Sequence, residues 1–250
     1  KAGVVEVGWS FISPDRRPGT KGHGRNPEGN QLRSVRRSKA MIRRESLTLG
    51  VDRLLTLTTR ENVQSVAVMD ERLKRFVRRM RDFIPGYKLI GVLERHKENR
   101  DGYHVHIGLP GFHDVNIIRA CWRWAVTGDE NSPDANIDIS FKPDGKGNQY
   151  GKAAAYMCKY LGKGLDVDHL FNAKRYRVSK GIEIPTDRVV LQARNQADAI
   201  WEVFRLAKER LPLSVLSYQW DGGEYGCLMV VDDGDTISSK GVYREPEAYP

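Results

Sequence analysis

Apolar side chains return every three or four positions at Val66, Met69, Leu73, Phe76, Val77, Met80 and Ile84, and Arg72, Lys74, Arg75, Arg78, Arg79 and Arg81 fill the places between them. That period puts the apolar set on one stripe of a helix, which Pro85-Gly86 ends. The intervening arginines are expected to form its solvated face. Just upstream, Leu54-Leu55-Thr56-Leu57-Thr58-Thr59 is a compact β-prone run that reads as a buried central strand. Downstream, Tyr87 to Arg95 and Tyr103 to Leu109 read as two strands joined by the turn Lys97 to Gly102, a β-hairpin. Asp114 can cap a further helix, whose Ile117, Ile118, Cys121, Trp122, Ala125 and Val126 carry it to Gly128. Ile137, Ile139 and Phe141 then alternate with Asp138 and Ser140, the pattern of a half-buried strand.

The flanks are less regular. Residues 1 to about 32 are rich in Gly, Pro, Arg and Asn with no apolar period, so they read as a loop or mobile arm. Residues 143–151, with three glycines, lead into Ala153-Ala154-Ala155-Tyr156-Met157-Cys158-Lys159-Tyr160-Leu161-Gly162-Lys163, which reads as one short helix. Beyond it, Tyr176 to Ile184, Arg188 to Gln192, Leu213 to Trp220 and Cys227 to Val231 are strand candidates, and Asn195 to Arg210 is a helix. The expected division is a basic arm and helix over residues 1–48, a core over 49–185, and a C-terminal extension over 186–250, packed on the core and without an assigned role. No internal repeat is visible.

Composition narrows the class. The 250 residues are 40% hydrophobic, ordinary for a globular protein with ample core. No run approaches the roughly 18 apolar residues of a membrane span, and no signal peptide opens the chain, so no membrane partner is expected and a cytoplasmic location is the default. The first residue is Lys1 rather than Met, which suggests a piece of a longer protein. The three cysteines are scattered and odd in number, indicating neither a disulfide framework nor a cysteine zinc site. The net charge of +9 favours a polyanionic partner. Its distribution sharpens this: Arg33, Arg36, Arg37, Lys39, Arg43 and Arg44 fall in a stretch with no acidic residue. A solvated helix would also show such a block, but one sign of charge suits a DNA or RNA backbone better.

Three groups of residues carry candidate chemistry. His104-Val105-His106 places two imidazoles on one face of a strand, because side chains alternate while each residue advances about 3.3 Å. This is how a strand offers two nitrogens to one divalent metal, although histidines on a solvated sheet face would look the same. Glu94, across the hairpin, would complete a two-histidine, one-carboxylate site, with His96 and His113 as rivals. Which residue faces His104 depends on a register that is not legible in the sequence. An oxygen-and-imidazole set suits Mg²⁺ or Mn²⁺, and imidazole also accepts zinc. The second group is Tyr156, Lys159 and Tyr160. Tyrosines four apart share a helix face and could be offered to one phosphodiester in turn, or could simply pack. The third, Gly145 to Ala153, looks like a phosphate loop but lacks its spacing and its Ser or Thr, so it is dismissed.

In order along the chain, the Thr-containing strand Leu54 to Thr59, the pair His104 and His106 with the upstream acid Glu94 in Glu94-Arg95-His96, and Tyr156 with Lys159 and Tyr160 resemble the three motifs of the HUH endonucleases. The likeness is strongest to the two-tyrosine rolling-circle replication initiators of the phage A-protein branch, and it covers roughly residues 50–165. HxH alone is a weak signal and YxxKY a moderate one; the ordered set is specific.

The resemblance implies an α/β (α+β) fold of the HUH, ferredoxin-like type: a central antiparallel sheet of about five strands flanked by helices, the histidine strand central and the tyrosine helix nearby. It implies an endonuclease and ligase that nicks single-stranded DNA, with Mg²⁺ or Mn²⁺ on His104, His106 and Glu94 and a nuclease core over residues 49–185. Tyr156 would form a 5′-phosphotyrosine bond and leave a 3′-hydroxyl primer, Lys159 would assist, and Tyr160 would act at the end of the cycle. Free phenols ionise near pH 10, roughly, so such a nucleophile needs activation at neutral pH. The implied partners are an origin strand or hairpin and a host helicase, in the host cytoplasm if the chain is phage-encoded. Lys152 and Lys163 join the arginine block as DNA-contact candidates. A relaxase or transposase of the same chemistry, a non-catalytic single-strand-binding module, and a metal-dependent hydrolase that uses HxH without tyrosine are the alternatives.

Overall fold

The computed structural model describes residues 4–10, 27–96, 102–141, 153–154, 156–158, 176–212, 214–221 and 225–232. In chain order their elements are β1 (Val4–Ser10), α1 (Pro27–Leu49), β2 (Val51–Thr59), α2 (Val66–Phe83), β3 (Ile90–His96), β4 (Gly102–Pro110), α3 (Val115–Thr127), β5 (Ala135–Phe141), β6 (Tyr176–Val178), α4 (Gln196–Arg210), β7 (Ser214–Asp221) and β8 (Tyr225–Asp232). They fall into two compact units. One comprises Glu28–Gly145 with Gln149–Ile184, the other Lys1–Pro27, Lys146–Asn148 and Pro185–Pro250.

The larger unit is an α+β fold on a five-stranded antiparallel sheet of order β5-β2-β4-β3-β6, flanked by helices. As expected, the histidine strand β4 is the middle one. Both faces of this sheet are covered, which explains why β2 reads as a nearly continuous apolar run. Leu55 and Leu57 on β2, with Val105, Ile107 and Leu109 on β4, face Met69, Leu73, Phe76 and Met80 of α2 and Ile118, Cys121, Trp122 and Ala125 of α3. Phe76 is the hub of that layer, meeting Trp122 and Tyr87 edge-on at centroid distances of 6.0 and 6.3 Å. The Trp122 indole donates to the Thr58 carbonyl at 2.8 Å and so carries no unmet polar group into the core. On the opposite face, Val51, Leu54, Ile90 and Val92 pack against Ile42 of α1 and against Ala153, Met157 and Cys158.

Caps set the helix limits. Ser65 accepts from the Val68 amide at the start of α2, Asp114 accepts from Asn116 at the start of α3, and Gly128 closes α3 with φ of 87°, a left-handed backbone that glycine adopts without strain. The α2 arginines are not simply a solvated face. Arg72 pairs with Glu61, Arg75 donates to the Trp124 carbonyl and lies 5.1 Å from that indole's centre, and Arg79 pairs with Glu130. Asp70 of α2 accepts a two-pronged hydrogen bond from Arg177, which ties the short edge strand β6 to the helix.

The smaller unit has a three-stranded antiparallel sheet, β1-β8-β7, with α4 beside it. Ala199, Val203 and Ala207 recur every four residues and pack with Leu228 and Val230. Three sequence expectations change in these regions. Residues 4–10 lie in the stretch read as an arm, yet the alternation of Val5, Val7 and Trp9 makes a strand because β8 accepts its backbone. Residues 188–192 form no strand, and Val189 and Val190 stand 58% and 74% exposed. A β-prone run becomes a strand only where a sheet edge can satisfy its amides. Of residues 176–184, only Tyr176–Val178 pair, with β3. The expected turns at 97–101 and 233–235, and the lead at 143–151, lie outside the described residues. No helix among the described residues is long and apolar enough to cross a membrane.

Candidate active site

The hairpin register decides which side chains meet. Glu94 of β3 stands directly opposite His104 of β4, and His106 is flanked by Val92 on one side and by Thr56 of β2 on the other. Directly opposed residues point to the same face, so Glu94, His104, His106 and Thr56 share one surface of the sheet. It is the surface on which Leu54, Ile90 and Val92 pack under α1. Along β3, two apolar residues therefore give way to a carboxylate, and along β4 the two imidazoles come into line with it.

The three groups converge. Glu94 Oε2 lies 2.7 Å from His106 Nε2 and 3.1 Å from His104 Nε2, with all three residues buried. The two rings meet edge-on with centroids 4.9 Å apart. One donor atom from each lies within 4.8 Å of the others, and this is the group of three potential ligands found among the described residues. Burial alone would raise the Glu94 carboxyl, but hydrogen bonds and charge from both imidazoles outweigh it and hold it well below the usual carboxylate range. Two neutral-capable imidazoles and one ionised carboxylate, aimed at a common point, fit a divalent metal ion. The rival ligand His113 is not part of this group. Its ring packs edge-on against Tyr87 at 5.9 Å, beside the other core layer, and burial lowers its pKa. His96 ends β3 opposite Gly102.

A pH prediction follows from Glu94. A carboxyl with a depressed folded pKa contributes stability above its unfolded pKa of about 4.3, and that contribution disappears as pH falls through the folded value. Metal-free protein should lose stability below about pH 4, and Glu94→Gln should flatten this part of a urea-denaturation series taken from pH 6 to 2. An acid limb of unchanged slope would show that the carboxylate is not held by the histidines.

Residues 153, 154 and 156–158 are helical. Tyr156 is half-buried and packs against the cluster of Ile42, Leu54, Ile90, Val92 and Met157. Because Val92 is the cross-strand neighbour of His106, Tyr156 and the triad belong to the same side of the same sheet. Lys159, Tyr160, Lys152 and Lys163 lie outside the described residues.

Residues 52–165 match the family model of the replication-associated protein ORF2. The chain is similar to that replication family there. The match supports a replication-initiator family and a role in replication initiation, and its span takes in Thr56, Glu94, His104, His106 and Tyr156. No curated protein and no solved structure matches the chain.

The stretch shared with that family begins after α1, yet α1 belongs to the site's surroundings. The Cys158 thiol donates to the Lys39 carbonyl at 3.4 Å. Burial pushes that thiol up to about 11, against the pull of Arg43 and Lys39, so both cations of α1 lie near the tyrosine segment. Arg36 and Arg37 are exposed, while Lys39, Arg43 and Arg44 are partly buried. The side chain of Arg33, within α1, is outside the described residues. In the sequence this helix reads as a charged block, and its packing role is missed. The signal was present: Val35, Ile42 and Leu49 are seven apart, two helical turns, and all three pack in the layer beneath α1. Thr56 was missed too as an individual residue. Its hydroxyl lies 3.0 Å from His106 Nδ1.

Proposed function

We propose that the chain is a metal-dependent endonuclease and ligase for single-stranded DNA, which nicks a replication origin or hairpin through a 5′-phosphotyrosine intermediate to start and end rolling-circle replication. The observation that carries this reading is the convergence of Glu94, His104 and His106 on the sheet face against which the Tyr156 segment packs. The match to a replication-associated family over the same residues supports it.

Glu94 Oε2, His104 Nε2 and His106 Nε2 would hold Mg²⁺ or Mn²⁺. When bound, the ion would supply Lewis-acid polarisation of the scissile phosphate. The chain's own residues do the rest. Tyr156 Oη attacks phosphorus, the bond to the 3′ oxygen breaks, and that oxygen takes up a proton and leaves as the 3′-hydroxyl. Lys159 opposes the charge that builds on phosphate and phenolate. The phosphotyrosine bond keeps the free energy of the broken linkage, so a later 3′-hydroxyl can reverse the step while Tyr160 cleaves the new junction. Arg36 and Arg37 of α1 contact the DNA backbone.

The test is incubation with labelled single-stranded origin and hairpin oligonucleotides and Mn²⁺. A covalent protein–DNA band with an extendable 3′ end is the expected result. Cleavage without that band would make the protein a metal-dependent hydrolase, and binding without cleavage would make it a binding module. A narrower result concerns α1. Replacing Arg36 and Arg37 with Gln should lower the slope of log K against log salt by about 1.4, at roughly 0.7 for each single-strand phosphate contact. An unchanged slope would place the DNA elsewhere.

A further inference from the structure

We infer that Thr56 is a positioning residue for the metal centre: its hydroxyl fixes the plane and tautomer of the His106 ring and so keeps Nε2 aimed at the point that Glu94 and His104 share. The inference rests on the metal reading above and deepens it. Thr56 Oγ1 lies 3.0 Å from His106 Nδ1, while Nε2 of the same ring lies 2.7 Å from Glu94 Oε2. Both ring nitrogens are thus held from opposite edges. An imidazole held on one edge alone can still rotate about its Cβ–Cγ bond; held on both, it cannot.

Threonine suits this position for three reasons. Thr56 is the direct cross-strand neighbour of His106 in the β2–β4 register, so the two side chains leave the sheet side by side. Its branched Cβ restricts χ1, which keeps the hydroxyl where the register places it. A hydroxyl can donate or accept. While Nε2 donates its proton to Glu94, Nδ1 accepts from Thr56; when Nε2 gives its lone pair to a cation, Nδ1 carries the proton and Thr56 accepts. One residue therefore serves both states without moving. On its far side, Thr56 is paired with Asp138 of β5, which leaves it in the interior of the sheet rather than at a pliable edge.

Partners of ligating histidines of this kind typically change metal affinity by about 10- to 100-fold when removed. The comparison is between Thr56→Val, which deletes the hydroxyl and keeps the branched shape, and Thr56→Ser, which keeps the hydroxyl. Full-length protein without DNA is titrated with Mn²⁺, free ion being followed by electron paramagnetic resonance, with His106→Ala as the reference for the site. Thr56→Val should bind Mn²⁺ about tenfold or more weakly, with Thr56→Ser close to the parent. In metal-free protein, ¹⁵N spectra of the imidazoles should show a single His106 tautomer in the parent and in Thr56→Ser, and an exchange-averaged one in Thr56→Val. If parent and His106→Ala bind Mn²⁺ alike, the metal reading falls and this inference with it. If His106→Ala loses the ion but Thr56→Val binds within twofold of parent, or Val and Ser lose equally, the inference alone is overturned.

Discussion

His106→Ala is expected to abolish Mn²⁺-dependent nicking while leaving single-strand binding within a few-fold of the parent. The side chain sits at the centre of the site: Nε2 is 2.7 Å from Glu94, Nδ1 is 3.0 Å from Thr56, and the ring lies against His104. Its removal takes one ligand of three and leaves Glu94 with a single imidazole partner. Loss of Lewis-acid assistance is worth several kcal/mol, so the nicking rate should fall by at least about a thousandfold, roughly 4 kcal/mol in the barrier. DNA binding draws on α1 and the backbone-contacting cations, which the substitution does not touch. His106→Gln, closer in size, guards against a simple folding defect, and both variants should keep the parent's circular dichroism. Equal loss of nicking and binding would remove His106 from the ligand set.

Tyr156→Phe is the second large effect. The substitution deletes one oxygen and keeps the ring that packs against Ile42, Val92 and Met157, so the fold should be indifferent to it. Without the nucleophile, the first cleavage should drop by about a thousandfold or more, in keeping with the loss of a covalent catalyst. The covalent band should vanish at single-turnover times. Tyr160→Phe should instead keep first cleavage and fail to resolve the product, and the double variant should form no covalent band at all. Full cleavage by the double variant would reassign the site to hydrolysis by activated water.

Much of this protein is written in its short-range pattern. The three-and-four spacing from Val66 to Ile84 identifies α2, the Asp114 cap and Gly128 bound α3, and the alternation through Ile137 and Ile139 marks β5. These elements bury one face against a single core layer, so periodicity alone identifies them. Where a segment depends on a distant partner, the pattern fails. β1 forms because β8 lies beside it, residues 188–192 have no such edge, and α1 looks like a cationic block until the layer under Val35, Ile42 and Leu49 is seen.

The site divides in the same way. That His104 and His106 share a face follows from the two-residue repeat of a strand, and needs no structure. That Glu94, rather than His113, meets them does not follow, because a slip of one residue in the hairpin would turn the carboxylate to the opposite face. The observed register, Glu94 against His104 and Thr56 against His106, is set by packing on both sides of the sheet. The sequence alone determined which residues could do chemistry. Long-range pairing decided which of them meet, since register is a property of two strands and neither one encodes it by itself.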